Sequence, residues 1–287
     1  MTRIRMFATD LDGTLLRSDR TVSGRTAAAM ARAQAAGIEV VWATARARHS
    51  VHELAQSCGF RGKAVCANGA VLLDLADGTP EIIETVSIDN GAASAVMEQI
   101  RGLIPGVVFA NVGATRFVAE PAYAALCKFS DHHRHPHEMA LSQTLPAGPE
   151  ALVKIVARHP ELPGAQLYRT AVALGITGVE LTHSGAAYME MAAEGVSKAT
   201  ALERLCALDG IDLAEVAAAG DALNDVAMLT WAGTALVPAN AAPEVIALAD
   251  RVLPTNDEDG VASYLEELAD SAQRGSVTRQ APARDPR

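Results

Sequence analysis

Short apolar runs alternate with stretches of helix-forming residues along most of this chain. Residues 4–8 are apolar, short and suited to a buried strand. Ser23 then stands as an N-cap before helix formers at 24–36, and Gly37 closes them. A strand follows at 38–43, a helix at 47–57 and a short strand at 64–67. Strand and helix in alternation predict a parallel sheet covered by helices.

Past Asn68-Gly69 the rhythm changes. Apolar runs at 71–73 and 82–86 flank Asp77-Gly78, a hairpin turn. A helix at 92–101 and strands at 107–110 and 116–119 come next, then a polar stretch with prolines over 130–149. A strand at 152–157, a helix at 164–174 and strands at 178–182 and 187–191 complete this region. The first rhythm then resumes, with helices at 197–208, 224–230, 241–248 and 260–268 around strands at 216–219, 234–237 and 251–253. The class is therefore α/β: a Rossmann-like, doubly wound parallel sheet made from 1–80 and 190–270, with an α+β domain inserted over 81–189. Residues 271–287 are polar and aperiodic and are expected to form a disordered tail.

Composition narrows the partners. With 24 basic and 34 acidic residues the formal charge is −10, which argues against nucleic acid or an anionic membrane. No apolar run approaches the ~18–20 residues of a membrane span, and the N-terminus enters a strand without a signal-peptide pattern. Four scattered cysteines suit reduced thiols, so a cytoplasmic protein is expected.

Four stretches bring chemistry to the ends of the core strands. Asp10 and Asp12 follow the first strand; if it stays extended, side chains two apart share a face and the carboxylates converge. Two like charges that close require a proton or a cation between them, and Mg²⁺, which prefers oxygen ligands, fits. Thr44, Ala45 and Arg46 follow the second strand and offer a hydroxyl and backbone N–H groups to an oxyanion. Lys198 near the start of helix 197–208 is a point charge for phosphate oxygens. Gly220-Asp221-Ala222-Leu223-Asn224-Asp225 adds two carboxylates and an amide after strand 216–219. Alone, Asp10-Leu11-Asp12-Gly13 reads first as a polar turn and Lys198 first as a solvated charge, while Thr44 and Asp221 also read as helix caps. The stretch 131–138 holds four of the eight histidines in no regular ligand spacing and is read as a solvated loop.

Taken together, the stretches resemble the haloacid dehalogenase superfamily, in its Cof-type sugar-phosphatase branch with a large inserted cap of the type called C2. Asp10-Leu11-Asp12-Gly13-Thr14-Leu15 matches the first motif, Thr44 the second, Lys198 the third, and the stretch from Gly220 to Asp225 the fourth. Ala45 departs from the pattern, where the family commonly has Gly. The resemblance implies a phosphatase of small phosphate monoesters, with Asp10 as nucleophile and Asp12 as acid and base. It implies Mg²⁺ held by Asp10, the Asp12 carbonyl and Asp221, with Thr44, Ala45, Lys198 and Asn224 on the phosphoryl group and Asp225 orienting Lys198. Arg46, Asn68 and Gly69 are candidate substrate contacts. A phosphomutase would share all four motifs, and a receiver-type phospho-acceptor switch also uses an acidic pair, a Thr and a Lys.

Overall fold

The computed structural model describes residues 3–279 apart from 114, 133–134 and 147–149. β1 (Met6–Thr9) is buried along its whole length. The Ser23 hydroxyl accepts from the Thr26 N–H and starts α1 (Gly24–Ala35), which leads to β2 (Glu39–Ala43). Next come α2 (Arg48–Cys58), β3 (Lys63–Cys66) and an antiparallel hairpin of β4 (Val71–Asp74) and β5 (Glu81–Thr85).

Between β5 and residue 193 the chain builds a second sheet. Its elements are α3 (Asn90–Leu103), β6 (Val108–Gly113), β7 (Phe117–Ala119), α4 (Pro121–Ala125), α5 (Phe129–His132) and β8 (Ala140–Leu141). Then follow β9 (Leu152–Arg158), α6 (Gly164–Ala173), β10 (Glu180–Thr182) and β11 (Met189–Ala192). The chain returns through α7 (Lys198–Asp209), β12 (Val216–Ala219), α8 (Val226–Trp231) and β13 (Thr234–Pro238). It closes with α9 (Pro243–Ile246), β14 (Arg251–Leu253) and α10 (Gly260–Arg279).

The first sheet runs β14-β13-β12-β1-β2-β3-β4-β5 and is parallel from β14 to β3. Strand order reverses at β1: the chain steps one way to β2 and β3 and later returns on the other side through β12. In such a sheet the loops diverge at the carboxyl end of that strand, which opens a crevice for a ligand. The α/β class and the doubly wound core are as the pattern predicts.

The second sheet runs β10-β11-β9-β6-β7-β8, antiparallel except at β7–β8. One face packs on α3 and α6 through Val96, Met97, Ile100, Phe109, Ile155 and Leu167. Ala110, Val112, Val156 and Tyr188 on the other face join the apolar cluster of the first sheet.

Several boundaries differ from the sequence expectation. Where the pattern predicts a helix over 241–248, only Pro243–Ile246 is helical; Pro243 starts the turn but lacks an N–H to extend it backward. Where it predicts disorder from 271, α10 continues to Arg279. Ion pairs Arg25–Glu266 and Arg32–Asp270 tie α10 to α1, so the last turns propagate from an anchored helix. Residues 280–287 of that expected tail lie outside the described residues. No helix among the described residues is long and apolar enough to cross a membrane.

Candidate active site

β1 ends at Thr9, and the next N–H, that of Asp10, bonds the Ala219 carbonyl at the end of β12 at 2.8 Å. Asp10 is thereby fixed at the reversal point with its side chain buried. Gly13 takes φ +85°, and a Cβ there would run into the Asp221 carboxylate. Glycine thus lets the two loops close on each other. Thr14 Oγ1 donates to Asp221 Oδ1 at 2.6 Å.

Lys198 opens α7 behind this loop, after Ser197, whose hydroxyl caps the helix. Its ammonium is fully buried and donates to Asp10 Oδ1 at 2.5 Å and Asp225 Oδ1 at 2.6 Å. The other Asp225 oxygen accepts from the N–H groups of Asp221 and Ala222, each at 3.0 Å. Asp225 is thus a fixed bracket between Lys198 and the fourth loop.

The carboxylates outnumber their counter-charge. Oxygens of Asp10, Asp221 and Asp225 lie within 4.8 Å of one another, with one lysine among them. Burial pushes the Asp10 carboxyl well above its usual range, against the pull of Lys198. Burial, then the Asp225 charge, pushes Asp221 up to about 6. Burial works against the charge on Lys198 too, but Asp10 and Asp225 outweigh it and hold its pKa above the ordinary value. An all-oxygen cluster short of positive charge fits a hard divalent cation. Because Asp225 has both oxygens engaged, Asp10 and Asp221 are the side chains left to hold one.

Asp12 does not converge with Asp10 as extended geometry predicts. β1 stops at Thr9 and the chain turns, so alternation no longer applies. The Asp12 carboxylate lies outside the acidic cluster and takes a bidentate bond from Arg46, 2.7 Å from Nε and 2.6 Å from Nη2. Any metal contact from Asp12 therefore falls to its main-chain carbonyl. Thr44, buried at the end of β2, accepts from the Arg46 N–H at 3.1 Å.

These groups face a cavity of about 300 Å³ between the two sheets. The first sheet contributes Asp10, Asp12, Thr44, Ala45, Arg46 and Asn224; the second contributes Phe117, His132, Lys154 and Tyr188. Lys198 and Asp221 are not among the residues lining the cavity and stand directly behind Asp10 and Gly13. Asn224 Oδ1 is buried and has no partner among the described residues, an acceptor open to a ligand or its hydration shell.

Asn68 and Gly69 do not line this cavity. Asn68, at φ +57°, accepts from Asn224 Nδ2 at 3.0 Å and donates to Thr182 Oγ1 of β10 at 3.2 Å, so it links the fourth loop to the second sheet. Gly69, at φ +113°, lies against the backbone of Ser197, and any Cβ there would collide with that carbonyl. Gly69→Ala should therefore displace the start of α7, costing about 1–3 kcal/mol of stability. An unchanged melting temperature would refute that tight approach.

Of the 131–138 stretch, His132 reaches the site region; its ring meets Tyr188 at 4.7 Å, and Tyr123 Oη pairs with its Nε2 at 2.8 Å. His133 lies outside the described residues. No histidine belongs to a metal-compatible cluster among them. The Arg46–Asp12 clamp and the buried Lys154 are functional candidates that motif reading passes over. The one signal for Lys154 is its charge in the middle of an apolar strand.

A family model described as haloacid dehalogenase-like hydrolase matches residues 7–265. Phosphatase YwpJ of Bacillus subtilis (strain 168) is 28% identical over 301 aligned positions, covering 92% of this chain and 100% of that protein. Pyridoxal phosphate phosphatase YbhA of Escherichia coli (strain K12) is 26% identical over 268 positions, covering 91% and 97%. The solved structure of SMU.1108c from Streptococcus mutans UA159 shares the fold at a TM-score of 0.80 and 22% identity, over 92% of this chain and 98% of that one.

Proposed function

The chain belongs to the haloacid dehalogenase-like hydrolase family, and on that premise we propose that it hydrolyses small phosphate monoesters, a sugar phosphate or related metabolite, through a phosphoryl-aspartate at Asp10. The observation that carries this reading is a buried carboxylate, Asp10, with one oxygen fixed by Lys198 at a cavity that also holds Asp12 and Thr44. That its relatives include named phosphatases supports the same chemistry.

Lys198 orients the Asp10 carboxylate for attack on phosphorus while Asp225 fixes Lys198. Thr44 Oγ1 and the backbone of Ala45 and Arg46 lie where phosphoryl oxygens gain charge. Asp12 gives a proton to the departing ester oxygen, then takes one from the water that cleaves the phosphoryl-aspartate. Arg46 Nε and Nη2 hold the Asp12 carboxylate in place beside Thr44. The anionic phosphoryl group competes for the same guanidinium. Mg²⁺ held by Asp10, Asp221 and the Asp12 carbonyl would neutralise charge, so that an anionic ester can approach an anionic nucleophile.

Orthophosphate release in Mg²⁺ across a panel of sugar phosphates and other metabolite phosphates tests this. Multiple turnovers on at least one ester are expected. No release from any would overturn the reading; a requirement for a bisphosphate would convert it to a phosphomutase, and stable phosphorylation without release to a switch.

The cation has its own test. Mg²⁺ at about 100 times its dissociation constant should stabilise the fold by about 2.7 kcal/mol, read as a raised melting temperature. Asp221→Asn should lose most of that rise, and Ca²⁺, with more and longer bonds, should not support turnover. Identical melting in Mg²⁺ and in chelator would remove the cation from the site.

A further inference from the structure

Lys154 lies in the middle of β9, opposite Val112 of β6, on the sheet face turned toward the cavity. It is buried, with its side chain only 6% exposed. Its ammonium makes two bonds of different kinds. One, at 2.6 Å, goes to Glu190 Oε1 on β11, a diagonal neighbour on the same face, whose other oxygen accepts from Ser184 Oγ at 2.7 Å. The other, at 2.9 Å, leaves the sheet and reaches the Ala45 carbonyl in the loop after β2.

A lysine whose task was to neutralise Glu190 would not need that second bond. Ala45 sits between Thr44, which accepts from the Arg46 N–H, and Arg46, which clamps Asp12. The carbonyl that Lys154 holds belongs to the Ala45–Arg46 peptide, whose N–H is the one bonded to Thr44.

We propose that Lys154 is a positioning residue: when the inserted sheet is seated, its ammonium fixes the Ala45–Arg46 peptide and so sets both the Thr44 hydroxyl and the Arg46 clamp. Glu190 holds the lysine ready. The loop after β2 is thus held from the second sheet as well as from its own strand. This rests on the phosphomonoesterase reading for its kinetics, but the loop contact itself does not.

The test uses the full chain with p-nitrophenyl phosphate in Mg²⁺, and amide hydrogen exchange over peptides spanning 44–48. Lys154→Met should lower kcat about 10- to 100-fold, the size of effect expected when a reacting group is misplaced by about 1 Å. KM should change little, and exchange at 45–47 should accelerate. Lys154→Arg, which keeps a charged donor, should recover part of kcat. The double variant Lys154→Met/Glu190→Leu guards against simple misfolding, since replacing a buried ion pair by apolar residues is often neutral or stabilising. It should show the same kcat loss and the same faster exchange. Wild-type kcat in the double variant, or unchanged exchange at 45–47 in either, would overturn the proposal. If the wild type itself released no phosphate from any ester, the phosphomonoesterase reading would fall, and the exchange result would still decide whether Lys154 holds the loop.

Discussion

Asp10→Asn folds and binds but releases no orthophosphate above background: that is the expected result of the most economical substitution in this site. The amide keeps the size and planarity of the carboxyl and can still present an oxygen to Lys198, 2.5 Å away. It is not a nucleophile toward phosphorus. Loss of the nucleophile in an enzyme with covalent catalysis costs about 10⁴-fold or more in turnover. Stability should not suffer. Lys198 keeps its bond to Asp225, and three carboxylates around one lysine leave the site with an excess of negative charge. An uncharged side chain relieves it, and the variant in chelator should melt no lower than the wild type. Turnover near the wild-type rate would remove Asp10 from the role of nucleophile.

Lys198→Met should fail in both respects. Lys198 is fully buried and is the cation bonded to both Asp10 and Asp225. Methionine fills much of the stem's volume but leaves those carboxylates facing each other in a dry interior, with Asp221 beside them. Breaking a buried pair from one side costs about 3–5 kcal/mol. Mg²⁺ should restore part of that stability by supplying positive charge to the same cluster, and should restore little activity, because the Asp10 oxygen is no longer aimed. Adding Asp225→Asn should also recover stability, since it removes the second unpaired charge. A single variant that melted as the wild type does in chelator would show that the cluster was not held together by this lysine.

How much of this was legible beforehand depends on how far apart in sequence the interacting groups lie. Buried parallel strands are continuous apolar runs, so β1, β2, β12 and β13 and the loops after them stand out. The chemistry at those loops follows from residue type: Asp10, Thr44, Lys198 and Asp221 could be named before their places were known. Extended geometry misled at Asp12, because alternation holds only inside a strand and β1 ends one residue before Asp10. Asn68 and Gly69 were adjacent to the right loop but face a helix and a strand instead of the cavity. Lys154 could not be assigned at all, since its partners are 36 and 109 residues away in the chain. Its one mark is a charge where an apolar strand should have none.

The reversal of strand order at β1 also has a consequence for synthesis. β1 ends at Thr9, yet its neighbour on one side, β12, begins at Val216. On a ribosome adding about 5–20 residues per second, that edge of β1 waits roughly 10–40 s for its partner. During the wait an apolar strand with unpaired N–H and C=O groups is open to pairing with other chains. The second sheet has no such delay, because every strand in it comes from the contiguous stretch between β5 and α7. Its longest-range pairing, β6 with β9, spans about 40 residues, far fewer than separate β1 from β12, so it can form while the first sheet is still half made. The nascent chain is then a completed second sheet carrying an unfinished first one, and the nascent-chain stage most exposed to aggregation ends only when Val216 to Ala219 emerges to fill the gap.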